Sequence, residues 1–319
     1  MLGSNKENAG CLRRCCFVLE DYCNVFQFCK FLKQLGKVMA LFVAALIGTV
    51  TYAVVFLTHG PKVVEGSTAQ QRWGSAIGVL AFLFLDGMLT WSYVVCAFTD
   101  PGRVPDQWMP FDSEEEAITE LQRQRYSPDP KLAGLPRVRH CRKCQAWKPD
   151  RAHHDSMTGR CVLKMDHYCI WVINCVGLLN YKAFLLFITY TCLACILATG
   201  LLGPSSLNFV LEKPAQGRMP GMVFVATVIA IAFAVSLLGF IIMHLRMVAI
   251  NCSTIEMYEK RRVANWPYNR GIRRNFAEVF ENEPSRWFVP TLTLRHRQWL
   301  LDQALRPLTG PRIESDADV

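Results

Sequence analysis

The stretch CRKCQAWKPDRAHHDSMTGRCVLKMDHYCIWVINC, residues 141–175, gathers five cysteines and three histidines among lysines, arginines and aromatics. Aliphatic residues are too few here for an ordinary core, so a metal is the expected organiser. Cys141-x2-Cys144, followed by His154 and Cys161, is a Cys3His set that suits tetrahedral zinc. Coincidental clustering of thiols is the weaker alternative. The ligand pattern C-x2-C-x9-H-x6-C recurs when each position advances by fourteen residues. It then lands on Asp155, Thr158, Tyr168 and Cys175. Thr and Tyr rarely bind zinc, so the second position is read as a degenerate metal site. About one zinc per chain is expected from the ligand count. Asp155, Thr158 and Tyr168 are expected to hydrogen-bond among themselves.

Between these positions lies Asp166-His167-Tyr168-Cys169. A thiolate attacks far better than a thiol, and a neighbouring imidazole can take its proton. A carboxylate on the other ring nitrogen fixes the tautomer and stabilises the imidazolium. The stretch therefore offers Cys169 as nucleophile, His167 as general base and acid, and Asp166 as the residue that orients it. On spacing alone, His167 and Cys169 would serve equally well as zinc ligands.

Outward from this loop the composition turns apolar in four runs, near 38–57, 76–98, 183–203 and 222–243. Runs of about 20 residues match the hydrocarbon thickness of a bilayer at 1.5 Å per residue. Asp86 interrupts the second run; a helix-packing hydrogen bond is its expected role, with a proton or ion site as the alternative. Lysine and arginine are sparse between runs one and two (Lys62, Arg72) and between three and four (Lys213, Arg218). They are dense elsewhere, so the positive-inside rule places both termini and the central loop in the cytosol. The formal charge of +9 follows from this pattern and from anionic headgroups, and does not call for nucleic acid. No cleavable leader pattern precedes the first run, which reads as a retained anchor.

Of the 14 cysteines, those from Cys141 to Cys175 fall in the cytosolic loop, where thiols stay reduced. Cys11, Cys15, Cys16, Cys23 and Cys29 precede the first run and suit S-acylation as well as a plain structural role. The expected organisation is a cytosolic arm (1–37), two transmembrane helices (38–99) and a cytosolic loop (100–182) with its cysteine-rich catalytic part at 137–182. Two more helices (183–245) and a cytosolic C-terminal subdomain and tail (246–319) complete it. Residues 112–125 read as an exposed helix or linker, and 300–319 as disordered.

The motifs are similar to those of the DHHC-type protein S-acyltransferases, or palmitoyltransferases. The resemblance runs from about 38 to 290. It includes Cys141-Arg-Lys-Cys144, Lys148-Pro-Asp-Arg-Ala-His-His154, Arg160-Cys-Val-Leu-Lys-Met-Asp-His-Tyr-Cys169 and Trp171-Val-Ile-Asn-Cys-Val-Gly177. Asp100-Pro101-Gly102 matches the family's DPG motif, and Asn251-Cys-Ser-Thr-Ile-Glu256 looks like its TTxE motif. Asn265-Trp-Pro-Tyr-Asn269 through Asn275-Phe-Ala-Glu-Val-Phe280 resembles its C-terminal motif, especially in plant members.

The resemblance implies a mostly α protein: a four-helix transmembrane bundle with a small zinc-stabilised cytosolic domain. It implies acyl-CoA as co-substrate, an acyl-Cys169 thioester, and transfer to cysteines of membrane-associated proteins. Thr254 would contact the Asp166 region, Asn275 would hold the C-terminal subdomain, and Trp171 would lie near the thioester. An endomembrane such as the Golgi is the expected location, with the plasma membrane as an alternative. Two departures stand out: the motif reads DHYC, and Ile170 replaces the usual proline. A catalytically impaired scaffold of the same fold is the competing reading, and an ion transporter using Asp86 is a third.

Overall fold

The computed structural model describes residues 25–126, 138–212, 219–260 and 266–307. Cys11, Cys15, Cys16, Cys23, Lys213 and Arg218 lie outside these. Four helices are long and apolar enough to cross a membrane: Val38–Glu65, Ala69–Phe98, Tyr181–Val210 and Pro220–Ala249. The first comprises most of α1 (Val25–Tyr52), a π-helical stretch (Ala53–His59) and α2 (Gly60–Glu65). The others are α3 (Ala69–Phe98), α5 (Tyr181–Val210) and α6 (Pro220–Ala249). Each outruns its apolar stretch, because helices stop at caps and turns rather than where hydropathy falls. Thr68, for example, accepts a hydrogen bond from the Gln71 amide at 3.2 Å and starts α3 seven residues before the apolar run.

α5 is the most buried of the four and packs against both α3 and α6. Outward-facing Leu41, Leu80, Phe84 and Val235 remain exposed, as lipid-facing side chains do. The expected four-helix bundle is therefore present, and the chain is a membrane protein.

Between α3 and α5 lie α4 (Glu114–Tyr126) and three short antiparallel hairpins. They are β1–β2 (Arg139–Cys141, Ala146–Lys148), β3–β4 (His153–Asp155, Arg160–Val162) and β5–β6 (His167–Cys169, Asn174–Val176). Each repeats the last after fourteen residues, so the ligand repeat read from sequence is a repeat of backbone. The turn residues keep the period as well: Gln145 (φ 52°), Gly159 (φ 71°) and Ile173 (φ 55°) are all left-handed. Only Gly159 takes this conformation at no steric cost. For the β-branched Ile173 it is a true outlier.

The hairpins borrow much of their core. Val104, Ala152 and Leu163 cluster with Cys141 and Cys161, and Leu301, Ala304 and Leu305 pack against them. Those last residues belong to α9 (Leu294–Leu305), which corrects the expectation of disorder for 300–307; residues 308–319 lie outside the described residues. Thr293 caps this helix through the His296 amide at 3.2 Å, and Trp108 Nε1 donates to the Leu305 carbonyl at 2.7 Å. Burial of Leu300 (3% exposed) explains why so polar a segment is ordered through 307. After α6, α7 (Thr254–Lys260) and α8 (Ile272–Phe280) complete the C-terminal part.

Candidate active site

Two asparagines set the β5–β6 hairpin against the membrane helices. Cys169 pairs with Asn174 across β5–β6. Asn174 Nδ2 donates to the carbonyls of Cys96, Ala97 and Thr99 at 3.1, 3.2 and 2.9 Å. These are orphan acceptors at the end of α3, so the amide acts as a helix cap. Asn180 is fully buried; its Nδ2 donates to the carbonyls of Cys96 and Cys175 at 3.2 and 2.9 Å. Gly177 closes the turn between them, where an added Cβ would stand 2.7 Å from Val162 and 2.9 Å from the Pro101 carbonyl. Neither asparagine stood out in the sequence as anything but motif filler. No local signal could have found them, because Asn174 and Asn180 stand 75 and 84 residues along the chain from the Thr99 and Cys96 carbonyls they hold.

Side chains alternate along a strand, so His167 and Cys169 share one face of β5. Asp166 is 2% exposed, and its Oδ2 accepts from His167 Nδ1 at 2.6 Å. Thr254 adds two bonds to the same carboxylate, from its amide to Oδ1 (2.8 Å) and from its Oγ1 to Oδ2 (2.9 Å). Burial would raise the Asp166 pKa, but the His167 and Thr254 hydrogen bonds outweigh it and hold it below the ordinary carboxylate range. For His167, burial disfavours the imidazolium. Hydrogen bonds and charge from Asp166 and Cys169 overcome this and raise its pKa to about 9.

Cys169, His167, Ile170 and Trp171 form the mouth of a cavity of about 700 Å³ that runs into the bundle. Val50, Phe184 and Ile188 are among its apolar walls, and Asp86 also faces it. The volume lies in the range of pockets that enclose a small-molecule ligand.

The Cys141 and Cys144 thiols, His154 Nδ1 and the Cys161 thiol lie within 4.8 Å of one another. Cys144 Sγ is 3.1 Å from His154 Nδ1 and 3.8 Å from Cys161 Sγ. Such edges suit a tetrahedron around a zinc ion with bonds of roughly 2.0–2.3 Å. The donors fit the metal, and among the described residues no other group of three or more His, Cys, Asp or Glu side chains does so. At the repeated position, Asp155 accepts from Thr158 Oγ1 (2.6 Å) and from the amides of Met157 and Thr158 (both 3.1 Å). Tyr168 takes another course, packing with Val162, Met165, Cys175 and Ile255.

A buried ionic network joins these hairpins to the C-terminal part. Arg151 makes a bidentate pair with Glu256 (2.6 and 2.7 Å) and donates to the Asn251 side chain and carbonyl. Lys164 reaches Glu278 at 2.6 Å, and Asn275 Nδ2 donates to the Ala249 carbonyl at 2.8 Å. Sequence reading singled out Asn275 but not Arg151, Lys164 or Glu278, whose pairings span about 100 residues of chain.

Residues 136–261 match the family model described as DHHC palmitoyltransferase. Probable protein S-acyltransferase 14 of Arabidopsis thaliana is 44% identical over 277 residues, covering 85% of this chain and 89% of that protein. Probable protein S-acyltransferase 13 of the same organism is 46% identical with the same coverage. The chain belongs to the DHHC palmitoyltransferase family. Human palmitoyltransferase ZDHHC20 is more distant, at 32% identity over 236 residues, covering 69% of this chain and 65% of that protein. As a DHHC palmitoyltransferase the chain is an acyltransferase acting on protein cysteines, and the reading as an impaired scaffold is not favoured. The apolar cavity thereby gains a chemical meaning: one end is a thiol, the other is lined for hydrocarbon.

Proposed function

We propose that this DHHC palmitoyltransferase transfers a long-chain acyl group from acyl-CoA to cysteines of membrane-associated proteins through an acyl-Cys169 thioester. The observation that carries this reading is the buried Cys169 at the mouth of a 700 Å³ apolar cavity, on the same strand face as the Asp166-held His167. His167 takes the Cys169 proton as sulfur attacks the thioester carbonyl. The carbon–sulfur bond to coenzyme A breaks, and the departing thiolate recovers the proton from His167. In the second half the roles reverse. A protein thiol gives its proton to His167 and attacks the acyl-enzyme, and the Cys169 thiolate leaves and is reprotonated.

Thr254 positions Asp166, Trp171 borders the reacting carbonyl, and Asn275 holds α8 beneath α6. Cys141, Cys144, His154 and Cys161 would hold one zinc ion, which supplies structure. The hairpins and both termini lie on the cytosolic side, as the lysine and arginine distribution supports, and an endomembrane such as the Golgi is the site of action.

The test is labelling of the purified full chain with a clickable palmitoyl-CoA. A hydroxylamine-labile label on wild type, absent from Cys169→Ser with normal zinc content, is expected. A well-folded, zinc-loaded wild type that takes no label would overturn the proposal.

A further inference from the structure

The cavity is not uniformly apolar. Asp86 of α3, Thr191 of α5 and Ser236 of α6 all line it. Their depths can be measured from shared anchors. Asn180 Nδ2 binds the Cys96 carbonyl, which levels the start of α5 with the end of α3. At 1.5 Å per residue, Asp86 lies about 15 Å below Cys96, and Thr191 about 16 Å below Asn180. Tyr181 Oη pairs with His244 Nδ1 at 2.9 Å, and Ser236 lies about 12 Å below His244. Three helices thus bring three polar side chains to within about one helical turn of the same depth.

The cavity does not end there. Phe82, Cys195 and Ile229 also line it and lie about 21–22 Å below the same anchors. The polar band therefore crosses the passage partway instead of closing its far end. Beside Asp86 stands Thr51 of α1, whose hydroxyl lies within reach of the carboxylate and gives it the helix-packing contact expected from the sequence. A carboxyl group facing an apolar cavity is costly unless something polar meets it, and intramembrane acids face sites of function.

A fatty chain that fills one leaflet spans about 15 Å, half of the hydrocarbon core. The band would then face the distal half of a chain held at Cys169. We infer that Asp86, with Thr191 and Ser236, is a polar station that accepts a hydroxyl carried on the distal half of the acyl chain. Mid-chain-hydroxylated acyl-CoAs are then donors alongside unsubstituted ones. This inference rests on the proposal that the cavity holds the acyl chain.

The experiment compares 12-hydroxystearoyl-CoA with stearoyl-CoA in direct competition on the purified full chain, with intact mass reporting which chain loads Cys169. Wild type is expected to load the hydroxylated chain at least as well as the plain one. Asp86→Leu should lower that ratio about tenfold, the scale of one hydrogen bond to a charged or strongly polar group. Asp86→Asn, which keeps hydrogen-bonding capacity, should retain most of it. Thr191→Val should lower it about threefold and serves if Asp86→Leu does not fold. A ratio that Asp86→Leu and Thr191→Val leave unchanged overturns the inference, as does a wild type that takes only the plain chain. If neither chain loads zinc-replete wild type, the acyl-enzyme reading itself fails, which is a different outcome.

Discussion

The two fourteen-residue-related positions share backbone and differ in chemistry. Cys141 and Cys144 of the first hairpin meet His154 and Cys161 of the second, with four donors within 4.8 Å. One period later, Asp155 and Thr158 bond to each other inside the second hairpin, while Tyr168 and Cys175 join an apolar cluster in the third. The first junction is suited to a metal. The second holds through packing, through backbone bonds such as Leu178 to the Leu163 carbonyl (3.0 Å), and through the Asp100–Gly102 segment. A hairpin repeat can therefore lose its metal chemistry and keep its backbone, placing Cys169 beside the Asp166-held His167. Four coordinated donors, or a single thiol such as Cys175 packed as an apolar group, are both satisfiable; two or three uncoordinated donors facing one another would not be.

Breaking the first junction should have the largest effect. His154→Ala or Cys144→Ser is expected to remove zinc, and with it much of the roughly 10–16 kcal/mol that structural zinc can supply to a small domain. Zinc analysis on the same sample as limited proteolysis checks this. Wild type should hold about one zinc per chain. The triple change Asp155→Cys, Thr158→Cys and Tyr168→His rebuilds the missing ligand set beside Cys175 and should raise the content to about two. No gain in zinc in a folded triple variant would show that the repeat of spacing does not carry a repeat of geometry.

Smaller changes probe what replaced the metal. Gly177→Ala would force a methyl against Val162 and two backbone carbonyls, and should cost about 3 kcal/mol, read as a lower midpoint of thermal unfolding. Asp155→Ala removes three hydrogen bonds to one buried side chain and should cost about 2 kcal/mol without loss of zinc. A fall in zinc with Asp155→Ala would mean that the two junctions are mechanically one.

A further expected effect concerns pH. The folded pKa of His167 is raised from 6.5 to about 9. Its contribution to stability is therefore fully present below pH 6.5 and is lost as pH rises through about 9. The unfolding midpoint of wild type should decline from neutral pH toward 10 more than that of Asp166→Asn, in which the raising partner is gone. Parallel curves would remove the Asp166–His167 pair from the account.

What was legible in the sequence was whatever repeats or alternates locally. Apolar runs gave four helices, and the C-x2-C-x9-H-x6-C spacing gave the cluster around His154. The DHYC residues gave the ring, carboxylate and thiol that the fold brings together. What was not legible depends on distant partners. Leu301 is an ordinary leucine in a charged tail until the cluster around Val104 and Leu163 is in place beneath it. Lys164 and Glu278 are separately unremarkable charges, and only the fold makes them a buried pair at 2.6 Å. The ends of the helices were misjudged for a related reason. Caps such as Thr68 lie outside the hydropathy signal.

The Asn174 amide, bound to three carbonyls at the end of α3, has a mechanical consequence. Cys169 sits directly across the hairpin from it, so the sulfur cannot rise or sink without that helix. A helix in a bilayer thicker or thinner than its apolar length tilts to compensate. Through the three Asn174 hydrogen bonds, the height of the hairpin that carries Cys169 is tied to the end of a helix whose own tilt answers to bilayer thickness.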